Sequence, residues 1–280
     1  MSDISDKVKI IVRTVGERTL GACINAIERQ GFDRDEIAVV NSVPFSEALR
    51  RSFEIGINVG RDWTFCVDAD VILREGSISK MLALAEMMGR DTCEIQGYVL
   101  DKFFGGHRPA GNHFYRTEHL GFAISNIPPE GIDIRPEYCM LQSLRSHGLR
   151  WEQVPYLVGL HDFYQYYGDI FRKNFVQARK HAYLRSLFDA VWSAAQPSDI
   201  DFTVAEIGYQ AGAKHSDFLS IDKRLACFAF SPSEYDIREK EEMNLSELAS
   251  VDVEKIIRTW QVAHEHSIFF PEIPSLTKIV

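Results

Sequence analysis

The sequence predicts an α/β protein: a mostly parallel sheet flanked by helices, followed by a helical C-terminal appendage. Three observations lead there. Apolar, β-branched runs alternate with segments of helical spacing from residue 7 to residue 100, the order that builds parallel sheets from strand–helix–strand units. Several of these runs are continuously apolar, as strands buried on both faces are. The chain can also bury a large core, with 280 residues, 45% hydrophobic and 25% charged, ordinary values for a globular protein.

Residues 7–14 alternate and then become β-branched (Ile10, Ile11, Val12), which reads as a strand. Residues 20–30 set Leu20, Cys23, Ile24 and Ile27 at helical spacing, and Gly31 follows as a stop. Residues 36–41 give a second strand, 44–60 a second helix, and 63–67 a third strand that delivers Asp68-Ala69-Asp70. Residues 77–88 are helical and 94–100 a fourth strand. Residues 103–112 hold three glycines and a proline and predict a mobile loop. Residues 115–124 read as a strand or a short helix. Residues 137–147 form a helix stopped by Gly148, and 154–160 a strand ending at His161-Asp162. One long helix is expected over 164–195, shorter ones beyond Pro197, and another over 252–264. The expected division is a ligand-binding α/β domain over 1–165 and a helical region over 166–280.

The net charge of −9 argues against a general nucleic-acid surface. Five cysteines (Cys23, Cys66, Cys93, Cys139, Cys227) are dispersed without a C-x-x-C pair, which suits a reducing compartment. The N-terminus lacks a basic n-region, and no run approaches the ~18–20 apolar residues of a membrane span. A cytoplasmic location is expected, with peripheral contact at the inner membrane face left open.

Asp68 and Asp70 are the most informative residues. Two carboxylates at the tip of a buried strand are costly without positive charge beside them. On an extended segment residues i and i+2 point the same way, so both can reach one cation. Hard divalent ions prefer oxygen ligands and leave coordination positions open for phosphate. The pattern therefore suggests a metal-held diphosphate.

Over roughly residues 7–165 the order of parts resembles the GT-A nucleotide-diphosphosugar glycosyltransferases, the family 2 group in particular. The resemblance implies a GT-A (Rossmann-like) fold and transfer of a sugar from a nucleotide donor to a hydroxyl acceptor. It places donor contacts in the turn after the first strand (Arg13, Thr14, Glu17) and at Asn41, where the family usually has Asp. It adds an arginine from the next helix (Arg50 or Arg51) and Asp68. It implies Mn2+ or Mg2+ held by Asp68, Asp70 and His161. The run Arg135-Pro136-Glu137 through Gly148 looks like the family's acidic helix start followed by x-L-x-x-R-x-x-G, which implies Glu137 as the catalytic base and an inverting reaction. Arg172-Lys173 would add positive charge at the same pocket.

Family frequency points to a UDP-sugar donor. The acceptor class (glycan, lipid-linked sugar or protein) stays open. The cationic helix over 164–195 is either a solvated face or a contact for an anionic acceptor or membrane surface, and the C-terminal helices are a candidate homodimer face. Two other classes remain. A sugar-1-phosphate nucleotidyltransferase would share the sheet and the metal carboxylates, but Val15-Gly16-Glu17-Arg18-Thr19 has one glycine and an acid where that class needs a glycine-rich basic loop. A non-catalytic nucleotide-sugar-binding relative is the other.

Overall fold

The computed structural model describes residues 4–217 and 220–263. A short helix α1 (Ile4–Lys7) leads into β1 (Val8–Thr14), every residue of which is buried. α2 (Leu20–Glu28), β2 (Ile37–Asn41), α3 (Phe45–Val59) and β3 (Trp63–Asp68) follow in the expected alternation. β1 pairs in parallel with both β2 and β3. Its alternating side chains divide the core: Val8, Ile10 and Val12 pack with α2 on one face, and Ile11 packs with α3 on the other.

Beyond β3 the sheet becomes mixed. β4 (Val71–Leu73) is followed by α4 (Ser77–Glu86), β5 (Thr92–Asp101), β6 (Gly106–Pro109) and β7 (Asn112–Arg116). Then come α5 (Leu120–Ser125), α6 (Pro136–Ser146) and β8 (Arg150–His161). The strand order is β2-β1-β3-β7-β5-β8-β4, with β6 on β5. β7 runs antiparallel to both β3 and β5, whereas β5 and β8 are parallel. The short link from β5 through β6 explains the reversal, because a hairpin returns the chain antiparallel while a parallel return needs a long crossover.

Residues 103–112 are therefore a hydrogen-bonded hairpin rather than the mobile loop expected from their glycines. Asp101 holds it: its Oδ1 accepts from the Phe103 and Phe104 amides at 3.0 Å each, and its Oδ2 from Arg108 Nε at 2.6 Å. Gly111 (φ 62) turns the chain into β7, and a Cβ there would lie 2.6 Å from Val71 Cγ2.

The predicted long helix is two. α7 (Tyr167–Lys180) ends at His181 (φ −134, ψ 40), and α8 (Arg185–Ala195) begins after one tight turn. The break folds α8 back so that Phe188 meets the Phe104 ring at 5.0 Å and Trp192 donates its Nε1–H to the Phe103 carbonyl at 2.8 Å. α9 (Ile200–Lys214) lies along α7, where Gly208 meets the backbone of Phe171 with no room for a side chain. α10 (Leu245–Ser250) and α11 (Val253–Ala263) return to the sheet: Val251, Val253 and Ile257 join the core of β1 and β3. β8 ends at His161, and the chain beyond it completes the core of the first half. Among the described residues no helix is long and apolar enough to cross a membrane.

Candidate active site

A cleft of about 600 Å³ opens at the carboxyl ends of β1 and β3, where ligands bind in open α/β sheets. The Asp68-Ala69-Asp70 backbone is pinned from three sides. Asp68 N donates to Gly111 O at 2.8 Å, Ala69 N to Arg13 O at 2.9 Å, and Thr19 Oγ1 to Ala69 O at 2.8 Å. This turn removes the extended geometry that would let both aspartates share one ion. Asp68 accepts from Arg13 Nε at 2.7 Å, while Asp70 faces His161 and Lys173. The set that converges is Asp70, His161 and Asp162, with one ligand atom from each within 4.8 Å of the others. Asp162 thus replaces Asp68 as the third candidate metal ligand.

This triad fits a divalent ion. Asp101 Oδ2 holds His161 Nδ1 at 2.8 Å and leaves Nε2 toward Asp70 Oδ1, 3.7 Å away. Such a carboxylate behind an imidazole orients it as a ligand. Asp70 Oδ1 is buried and has no hydrogen-bond partner among the described residues. Two carboxylates and one imidazole suit Mn2+ better than the all-oxygen preference of Mg2+. Lys173 Nζ bonds both Asp70 Oδ2 and Asp162 Oδ1, so its ammonium has to give way for an ion to take both carboxylates. Burial disfavours charge on Asp70, but Lys173 and His161 outweigh it and hold the carboxyl below its usual range. Likewise Asp162, Asp70 and Asp101 overcome burial to push His161 up to about 10. Asp162 (φ 65) and Tyr164 (φ 63) sit in left-handed backbone, a cost of about 1–3 kcal/mol each that clusters at functional sites.

Glu137 lies at the N-terminus of α6 and lines the cleft, as the sequence suggested. Both of its oxygens are engaged. Oε1 accepts from Arg13 Nη1 at 2.6 Å and Tyr115 OH at 2.7 Å, and Oε2 lies 2.9 Å from His113 Nε2. Burial pushes its pKa up, but Arg13 and His113 override that and hold it well below the usual carboxylate range. A carboxylate so placed is a weak proton acceptor.

His113 also meets Glu94 Oε1 at 2.9 Å through Nδ1. Burial lowers its pKa, and Glu137 and Glu94 together raise it to about 9. Its folded pKa exceeds the unfolded value near 6.5, so its stabilisation is complete below pH ~6.5 and is lost as pH rises toward 9. Urea unfolding should therefore show wild type losing stability over that window. His113→Gln should have a flatter slope, the difference amounting to at most about 3 kcal/mol. Equal slopes would remove His113 as a buried cation.

The other expected donor contacts divide. Arg13, Thr14 and Glu17 line the cleft. Glu17 Oε2 accepts from Thr14 Oγ1 at 2.7 Å and the Val15 amide at 2.8 Å, so it shapes the turn after β1. Asn41 and Arg51 lie outside the cleft lining. Asn41 is exposed at the tip of β2 and outside the cleft wall, which Ser42 and Val43 form instead. Arg51 lies on the solvent face of α3, paired with Glu47 at 2.8 Å, because α3 turns Ala48, Leu49 and Ser52 inward. Asp101 and Tyr115 were not identified from the sequence, and Lys180 entered only as one of the cations on the 164–195 helix. Each looks like an ordinary strand or helix residue until the sheet order brings it to the cleft.

No family model matches the chain, and no curated protein matches it. Among solved structures it is similar to a glycosyltransferase involved in the glycosylation of the major capsid of PBCV-1. That alignment has 13% identity, covers 52% of this chain and 81% of that one, and gives a TM-score of 0.38. It is also similar to a mannosyltransferase from Pyrobaculum calidifontis in complex with GDP-Man and Mn2+, with 12% identity, 75% and 76% coverage, and a TM-score of 0.38.

Proposed function

We propose that this chain is a GT-A-type glycosyltransferase that moves a sugar from a nucleoside-diphosphate donor held at the cleft with Mn2+ or Mg2+. The observation that carries the reading is the Asp70–His161–Asp162 triad set among cations in a protein of net charge −9. The ion, when bound to those residues, would relieve the charge that grows on the leaving diphosphate. Arg172 and Lys223 line the same part of the cleft and extend the positive field that attracts the donor. Val15, Ser42, Val43 and Phe45 provide an apolar slot with polar edges for the base. Arg13, fixed by Asp68 and Glu137, keeps its buried Nη2 unspent beside the reacting centre. Glu137 in this arrangement anchors Arg13 and His113 and serves as base only if that network opens.

UDP and GDP release from a panel of nucleotide-sugars, with Mn2+ or Mg2+ added or chelated, tests this reading. Release with one donor, suppressed by chelation, is the expected result. If no donor is turned over and no nucleotide with Mn2+ raises the melting temperature, the reading fails, because a ligand that binds the folded state must stabilise it.

A further inference from the structure

The cleft holds more positive charge than one diphosphate uses. Lys173 sits at the cation triad, and Lys180 lies seven residues further along α7, about 10 Å at 1.5 Å per residue. A diphosphate anchored at the triad does not span that distance. Lys180 has no hydrogen bond or ion pair among the described residues, although it lines the cleft and is half-buried. Burial, then Arg108 and Arg135, depress its pKa to about 8 against the upward pull of Asp68 and Glu137, and Arg108 and Arg135 line the same cleft. Of the three, only Arg108 has a carboxylate partner, Asp101 at 2.6 Å. Arg135 lies over the Tyr138 ring at 4.7 Å and has no ion pair among the described residues.

Aromatic surface adjoins this charge. Tyr138, Trp151 and Tyr183 line the same cleft. The indole Nε1 of Trp151 is buried without a hydrogen-bond partner. Rings beside hydrogen-bond donors suit a sugar, and an unbalanced cluster of one ammonium and two guanidiniums suits a phosphate or carboxylate. We infer that Lys180, Arg108 and Arg135 form a second anion site that binds the charged group of an anionic sugar acceptor, a phosphosugar or a uronic acid. This inference rests on the glycosyltransferase reading for the word acceptor; the anion site itself does not.

Calorimetric titration with glucose 6-phosphate, glucuronic acid and glucose tests it, on protein alone and on protein saturated with Mn2+ and UDP or GDP. Both anionic probes are expected to bind with the nucleotide in place, and glucose to bind at least about tenfold more weakly, the loss expected for one charge-assisted hydrogen bond. Lys180→Met should lose the anionic probes by a similar factor and keep nucleotide affinity, and Lys180→Arg should restore them. Lys180 has no partner to strand, so an unchanged melting temperature is expected. Equal binding of all three sugars overturns the site. Parallel loss of nucleotide and probe in Lys180→Met assigns Lys180 to the donor, including a donor with an acidic sugar, and also overturns the proposal. If no nucleotide binds at all, the donor reading falls, and the titration without nucleotide still decides the anion site.

Discussion

Replacing Arg13 with methionine is expected to cost about 3–5 kcal/mol of stability, the penalty for breaking a buried ion pair from one side. Arg13 is 3% exposed and lies on β1 directly opposite Asp68 of β3. Its Nε meets Asp68 at 2.7 Å and its Nη1 meets Glu137 at 2.6 Å, with the guanidinium 5.0 Å from the centre of the Phe45 ring. Methionine fills much of the volume but leaves Asp68 without its counterion and Glu137 with His113 as its remaining cation. The expected readout is a melting temperature lower by about 10 °C at neutral pH, with part of the loss recovered below the usual carboxylate range as Asp68 and Glu137 take up protons. Adding Asp68→Asn to Arg13→Met should also recover part of it, because the uncompensated charge is removed. A loss under about 1 kcal/mol would place Arg13 among ordinary surface pairs.

The second large effect is on activity. Asp70→Ala is expected to reduce turnover by about a thousandfold or more, comparable to removing a principal electrostatic stabiliser of a transition state. Asp70 is the only one of the triad whose buried oxygen lacks a hydrogen bond, and it faces both His161 and Lys173. The fold should survive, since Lys173 keeps Asp162 and His161 keeps Asp101 and Asp162. Thermal stabilisation by Mn2+ with nucleotide should disappear in the variant, while the melting temperature without ligand stays near wild type. Turnover within tenfold of wild type would refute the cation site at Asp70.

Strands and helices in the first hundred residues were legible because each is written locally. The β-branched run of β1 and the helical spacing of Leu20, Cys23, Ile24 and Ile27 match the observed elements within a few residues. Asp68-Ala69-Asp70 stood out in the sequence because two carboxylates closing a buried strand need positive charge beside them, which Arg13 and Lys173 supply. The hairpin at β6 was not legible, since its stability comes from Asp101 and Arg108 and not from the glycine-rich run itself. Nor was the break after α7. Its residues have ordinary helical composition, and the turn is favoured by tertiary contacts of α8 such as Trp192 with Phe103 and Phe188 with Phe104 and Tyr209.

By itself the sequence determined the class of the fold and the strand whose end carries the acidic pair, since periodicity depends on neighbours along the chain. The tertiary structure alone decided which groups meet. It turns the chain at Ala69 and Asp70 so that Asp68 and Asp70 meet different partners, brings Lys173 to Asp70 across 103 residues and joins His161 to Asp101 across 60. Charge pairing in a buried cleft acts through space at a few ångströms, and no local spacing encodes it.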